Sequence, residues 1–166
     1  GATVAAGAMT SVANKAAELA DEIDKASIRM GIGVESYQEL AYAAGQCGVE
    51  MSTMERAAKQ LEGTDMNMDE AMASIMALGT EEERAARAAE LFGEATAYKM
   101  KPLIQQGEEG FNGLKDRAHE LGIVMSEEAV SSGVKFGDLM SDLQQSLSAL
   151  TNGLGASFFP ILNDLI

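Results

Sequence analysis

The sequence predicts an all-α protein in which two long terminal helices flank a cluster of short ones. Composition, spacing and punctuation carry that expectation. Alanine, methionine, leucine and glutamate are plentiful, aromatic residues make up 5%, and tryptophan is absent, a profile that favours helix over strand. Apolar residues recur three and four apart at both ends of the chain, which is the helical period. Only Pro102 and Pro160 break helices by ring geometry, whereas glycines and capping residues punctuate the middle.

The first element is a long helix over 1–31. Ala2, Ala5, Met9, Val12, Ala16, Leu19, Ile23, Ala26 and Met30 step by three and four. This seam is mostly small, so a partner backbone can approach closely. Asp21, Glu22, Asp24 and Lys25 line the other side, and Gly31 supplies the left-handed stop.

The stretch 32–122 reads as a compact region of some five to seven short helices. One runs from Val34 to about Gln46 and ends at Gly48. Ser52-Thr53-Met54-Glu55 has the pattern of a capping box, predicting a helix to about Leu61. Gly63-Thr64-Asp65 is a turn, and Asn67-Met68-Asp69-Glu70 caps a helix that closes by Gly79. Thr80-Glu81-Glu82-Glu83 is a second capping box, opening a helix to about Phe92. Gly93 interrupts it, and the pattern resumes to Met100. Pro102 fits the first turn of a short helix ending at Gly107. Glu108 to Leu121 is helical, with Gly122 after it.

The stretch 123–166 is the second long helix. Ser126 caps it, and Glu127 and Glu128 sit beside the positive end of its dipole. Ala129, Gly133, Phe136, Met140, Leu143, Leu147, Leu150 and Leu154 form a heptad stripe, continued by Phe158, Ile161 and Leu165. A stripe this apolar demands a partner helix. Pro160 predicts a kink or an end near Phe159. No exact repeat or low-complexity linker divides the chain, so 1–166 reads as a single helical fragment. It opens inside one helical pattern and closes inside another, which predicts a piece of a longer protein.

The net charge of −14 argues against direct binding to nucleic acid, whose phosphates would repel the chain. The single cysteine, Cys47, allows no internal disulfide. No run reaches the roughly 18 apolar residues of a membrane-spanning helix. The apolar start, Gly1–Thr10, lacks the basic flank of a signal peptide.

The candidate chemical sites each have a simpler structural reading. His119 is the only histidine, so a zinc site would have to be built almost entirely from carboxylates; it reads as a half-buried or surface helical residue. Cys47, in Gly45-Gln46-Cys47-Gly48, reads as a packed small residue at a helix end, because only His119 could act as its base. Asp65, Asn67 and Asp69 imitate the start of a calcium loop. Glu70 and Met76 then stand where glycine and a bidentate glutamate belong, so the three read as turn and cap residues. Glu81–Glu83, Glu108-Glu109 and Glu127-Glu128 all lie where helices begin, and dipole pairing accounts for them. Gly31-Ile32-Gly33 lacks the third glycine and the strand of a dinucleotide site. Of the eleven methionines, Met51, Met54, Met66, Met68, Met72 and Met76 concentrate in the middle. They read as filling for a core of small helices, ahead of a pliable binding surface. The run Leu154–Leu162 lacks the basic face of a membrane-surface helix and reads as buried against other helices. The expectation is therefore no enzyme, with no catalytic, cofactor-binding or metal residues and no cofactor.

Three stretches resemble tail tape measure proteins of tailed bacteriophages and prophages. The first is Ala20-Asp21-Glu22-Ile23-Asp24-Lys25, then Met30-Gly31, Glu35-Ser36-Tyr37-Gln38-Glu39 and Gly48-Val49. The second is Glu83-Arg84-Ala85-Ala86-Arg87-Ala88-Ala89-Glu90-Leu91-Phe92-Gly93, then Lys101-Pro102-Leu103-Ile104 and Gly107. The third runs from Ala118-His119-Glu120-Leu121-Gly122-Ile123-Val124-Met125-Ser126 through Glu127-Glu128-Ala129-Val130 to Phe136, Leu139 and Pro160. In order and spacing the likeness covers about Ala17 to Ile166. Two departures stand out. Glu94-Ala95-Thr96 replaces the small residue and glycine usual after Leu-Phe-Gly, and the part between Gly48 and Glu83 is shorter than in many members.

The resemblance implies a structural segment of a protein that sets tail-tube length during assembly and occupies the tube lumen until the genome is ejected. It implies other copies of the chain, tail tube protein and tail assembly chaperones as partners, and manufacture in a bacterial host cytoplasm. Neighbouring segments would meet the host membrane. The alternative is a membrane-active or partner-binding helical protein without catalysis, with Leu150–Ile166 as the membrane-active part.

Overall fold

The computed structural model describes residues 2–154, with side chains described over 11–148. Every regular element among them is an α-helix: α1 Ala2–Met30, α2 Val34–Gln46, α3 Met51–Gln60, α4 Met68–Met76, α5 Glu81–Phe92, α6 Glu94–Lys99, α7 Lys101–Ile104, α8 Gly107–Glu120 and α9 Glu127–Leu154. The all-α expectation is met. The contacts divide the chain into two compact units, one of 22–130 and one of 2–21 with 131–154 among the described residues.

Local chemistry sets most helix ends in the larger unit. Gly31 takes φ +67° and closes α1, with its own N–H donating to the Ile28 carbonyl and that of Ile32 to the Ser27 carbonyl. Gly122 takes φ +69° and repeats the pattern after α8, with Ile123 donating to Ala118. A residue with a Cβ would be strained in this left-handed conformation. At the start of α4 the reciprocal box forms in full: Asn67 Oδ1 accepts the Glu70 N–H and Glu70 Oε2 accepts the Asn67 N–H. Thr80 Oγ1 accepts the Glu83 N–H at α5, and Ser126 Oγ accepts the Ala129 N–H at α9.

The box at Ser52–Glu55 does not form. Helix α3 begins at Met51, with extended Glu50 before it, and Ser52 Oγ donates to Glu50 Oε2 at 3.3 Å. Burial decides this. Val49, Thr53 and Met54 all turn into the core, which sets the entry angle of the chain and leaves Ser52 inside the first turn.

The core of this unit is built largely from methionine. Met30, Met54, Met68, Met72, Met76 and Met100 are buried together with Leu40, Ile75, Phe92, Leu103 and Phe111. Unbranched thioether side chains suit the irregular gaps that short packed helices leave. Met51 and Met66 pack partly against the same cluster, so the methionine-rich middle is core.

Two polar side chains, the half-buried Arg84 and the buried Gln38, join separate elements. Arg84 on α5 donates from Nε to the Ile104 carbonyl and from Nη1 to the Leu78 carbonyl, each at 3.0 Å. It thereby satisfies carbonyls at the ends of α7 and just past α4, where the helices cannot. Gln38 on α2 donates from Nε2 to the Met125 carbonyl and accepts the Met125 N–H at Oε1, both at 2.8 Å. This reciprocal pair holds the segment before α9.

Replacing Arg84 with methionine keeps most of the volume and removes both bonds. The chain should lose about 2–3 kcal/mol of stability, the scale of charged hydrogen bonds and orphaned carbonyls. Urea unfolding reads it directly, and an unchanged midpoint would show that the two carbonyls find other partners.

Candidate functional site

The smaller unit pairs the first part of α1 with the later part of α9 through their smallest side chains. A Cβ built on Gly133 would stand 2.5 Å from Ala20 Cβ and 3.8 Å from the Ala16 carbonyl oxygen. Only glycine fits there. Four residues on, a Cβ on Gly137 would meet Ala17 Cβ at 3.5 Å, an ordinary contact. As α9 advances from 133 to 137, its neighbour on α1 falls back from Ala20 to Ala17, so the two helices run antiparallel. Ala17 and Ala20 are buried, and the backbones approach as closely as side chains this small allow.

That contact corrects the predicted seams. Ile23, Ala26 and Met30 are buried as expected, but Val12, Ala16 and Leu19 are exposed, Val12 by 69%. On α9, Gly133, Gly137, Met140 and Leu147 are half-buried and Val130 is buried, while Ala129, Phe136 and Leu143 are exposed. The reason is steric: closest approach is reached through Ala17, Ala20 and Gly133, so bulkier apolar residues rotate out. The result is a thin helix pair with Phe136, Leu139 and Leu143 in a stripe on α9, and Val12, Ala16 and Leu19 in a stripe on α1. The side chains of Ala2, Ala5, Met9, Leu150, Leu154, Phe158, Ile161 and Leu165 lie outside the described residues. So do the expected kink at Pro160 and most of the apolar run to Leu162.

The candidate chemical residues take structural places. His119 Nε2 sits 2.7 Å from Glu39 Oε1, and Lys115 Nζ lies 3.6 Å from Glu39 Oε2 and 5.3 Å above the Phe111 ring. Through Glu39, His119 and Lys115 tie α8 to α2. Cys47 is half-buried at the end of α2, and burial pushes its thiol above the ordinary value, the opposite of nucleophile activation. Asn67 is a cap, and Asp65 and Asp69 are exposed. Among the described residues no cluster of three or more His, Cys, Asp or Glu is placed to hold a metal ion. Glu81–Glu83, Glu108-Glu109 and Glu127-Glu128 occupy first turns of α5, α8 and α9. No helix among the described residues is long and apolar enough to cross a membrane.

Sequence reasoning missed Arg84 and Gln38, whose partners Ile104 and Met125 lie 20 and 87 residues away. No local pattern marks such pairs. Against family models, curated proteins and solved structures, the chain finds no match.

Two glycine substitutions separate close approach from helix propensity. Gly133→Ala should force the helices apart and cost about 1–3 kcal/mol of overpacking. Gly137→Ala should be tolerated and gain up to about 1 kcal/mol from helix propensity. Urea melts of both variants give the comparison, and equal effects would rule out the tight contact. At Cys47, the raised thiol leaves less thiolate at a given pH. Iodoacetamide should therefore alkylate it more slowly than free cysteine at pH 8, with the rate still climbing where free cysteine has levelled.

Proposed function

We propose that the chain is a structural, non-catalytic segment of a tail tape measure protein. In this reading two long terminal helices, α1 and α9, flank the cluster of short helices in chain order. The segment lies in the tail tube lumen and helps to set the tube's length until the genome is ejected. The observation that carries the reading is the antiparallel α1–α9 pair, joined through Gly133, Ala20 and Ala17. A length ruler inside a narrow tube calls for extended helices of small cross-section, and glycine–alanine contacts bring helix axes close. The motif order from Ala20 to Val130 supports the same assignment.

The exposed stripes supply a means of bundling. Phe136, Leu139 and Leu143 repeat at three and four residues, as do Val12, Ala16 and Leu19. Uncharged heptad-like stripes suit further copies of the same helices. A net charge of −14 suits a protein that shares a tube with DNA and must leave without adhering to it. Tail tube protein and assembly chaperones are the remaining partners in this reading. The same stripes also support a partner-binding helical protein outside a virion, and the length experiment separates the two.

In the virus or prophage that encodes the chain, a tandem copy of the 28-residue α9 is inserted in frame into the parent gene. At 1.5 Å per helical residue, tails should lengthen by roughly 40 Å in electron micrographs. Tails of unchanged length would remove the ruler function and leave the partner-binding alternative standing. In light scattering, the isolated chain should associate, and Leu139→Asp with Leu143→Asp should reduce that association.

A further inference from the structure

A cleft of about 390 Å³ opens among α5, α6 and α7. Its apolar surface comes from Ala85 and Ala89 on α5, Ala97 on α6 and Ile104 at the end of α7. The alanines leave room that larger residues would fill. Tyr98 stands at the wall and is 77% exposed, a large aromatic side chain left in water. Glu81, Glu82 and Glu94 line the cleft with one cation, Lys101. None of the three carboxylates is in an ion pair among the described residues. Arg84 is committed to the Ile104 and Leu78 carbonyls and does not line the cleft.

We propose that this cleft receives an arginine side chain, with an adjacent apolar residue, from a polypeptide partner. Each part of the site matches one part of that ligand. Three carboxylates against one ammonium leave the lining two charges negative, which attracts a cation and repels phosphates and carboxylates. A guanidinium donates hydrogen bonds to carboxylates in a fork and stacks on an aromatic face, so Tyr98 beside the glutamates favours arginine over lysine. The alanine and isoleucine surface accepts the methylene stem and the neighbouring apolar side chain. The volume falls in the lower part of the range for small-ligand sites, fitting one or two side chains and not a folded domain. This inference does not depend on the tail reading, because the cleft is formed entirely within the unit of 22–130.

The test uses the full 166-residue chain, isotopically labelled, and two peptides: acetyl-Leu-Arg-amide and its neutral isostere acetyl-Leu-citrulline-amide. Titration with the arginine peptide should shift the backbone amide resonances of Ala85, Ala97, Tyr98 and Gln105. The citrulline peptide should bind at least about threefold more weakly, as expected for loss of an exposed charge pair. Glu82→Gln combined with Glu94→Gln should weaken the arginine peptide by about tenfold and flatten its salt dependence. Ala85→Leu narrows the cleft from an exposed position and should abolish the shifts while leaving the fold intact. The proposal is overturned if the arginine peptide causes no shifts at about 10 mM, if the shifts map elsewhere, or if citrulline binds equally. Those results would leave tail length untouched, and an unchanged tail would leave the cleft's affinity untouched.

Discussion

Short helices leave a large share of their backbone groups without an intrahelical partner. A four-residue helix such as α7 consists almost wholly of such ends. In a core of methionine, leucine and phenylalanine, an unanswered carbonyl is costly. Arg84, near the start of α5, resolves this at two places with one side chain by donating to the Leu78 and Ile104 carbonyls. Its guanidinium also lies against Gly107, where a Cβ would stand 3.6 Å away. Short helices before and after α5 can thus close around an apolar interior. The cleft among α5, α6 and α7 is a product of that closure, since its Ile104 wall is held by the Arg84 bond.

Gln38 does comparable work at the other end of the same unit. The crossing from Gly122 to Ser126 has no regular structure, so its backbone needs partners from elsewhere. The Gln38 amide copies the pairing of a backbone peptide, donating to and accepting from Met125. Glu39, the next residue, is drawn on by His119 and Lys115. Successive residues of α2 therefore connect it to the segment before α9 and to α8.

The smaller unit is governed by sterics and not by polar groups. Alanine and glycine bury little apolar area, so close approach gains contact density more than transfer energy. Val12, Leu19, Phe136, Leu139 and Leu143 are then left exposed. A helix pair of this kind carries its own stickiness on its outer surface, which is the property a bundling segment requires and an isolated domain would avoid.

Local features were legible from the order of residues alone. Capping residues, glycine stops and Pro102 depend on neighbours within four or five residues, so the helix order was legible to within a residue or two at most ends among the described residues. Asn67, Thr80, Ser126, Gly31 and Gly122 all act where the pattern placed them. Periodicity also showed that α1 and α9 each carry an apolar stripe. Which stripe is covered depends on packing, because the exposed Ala16 and the buried Ala17 lie on neighbouring faces of α1 and the choice rests on Gly133 across the contact. The same holds for the Arg84–Ile104, Gln38–Met125 and His119–Glu39 contacts, which span 20 to 87 residues. It holds as well for α3, where burial of Val49 overrode a capping pattern that was locally sound. Spacing reports which faces a helix can offer, and packing against distant residues selects among them.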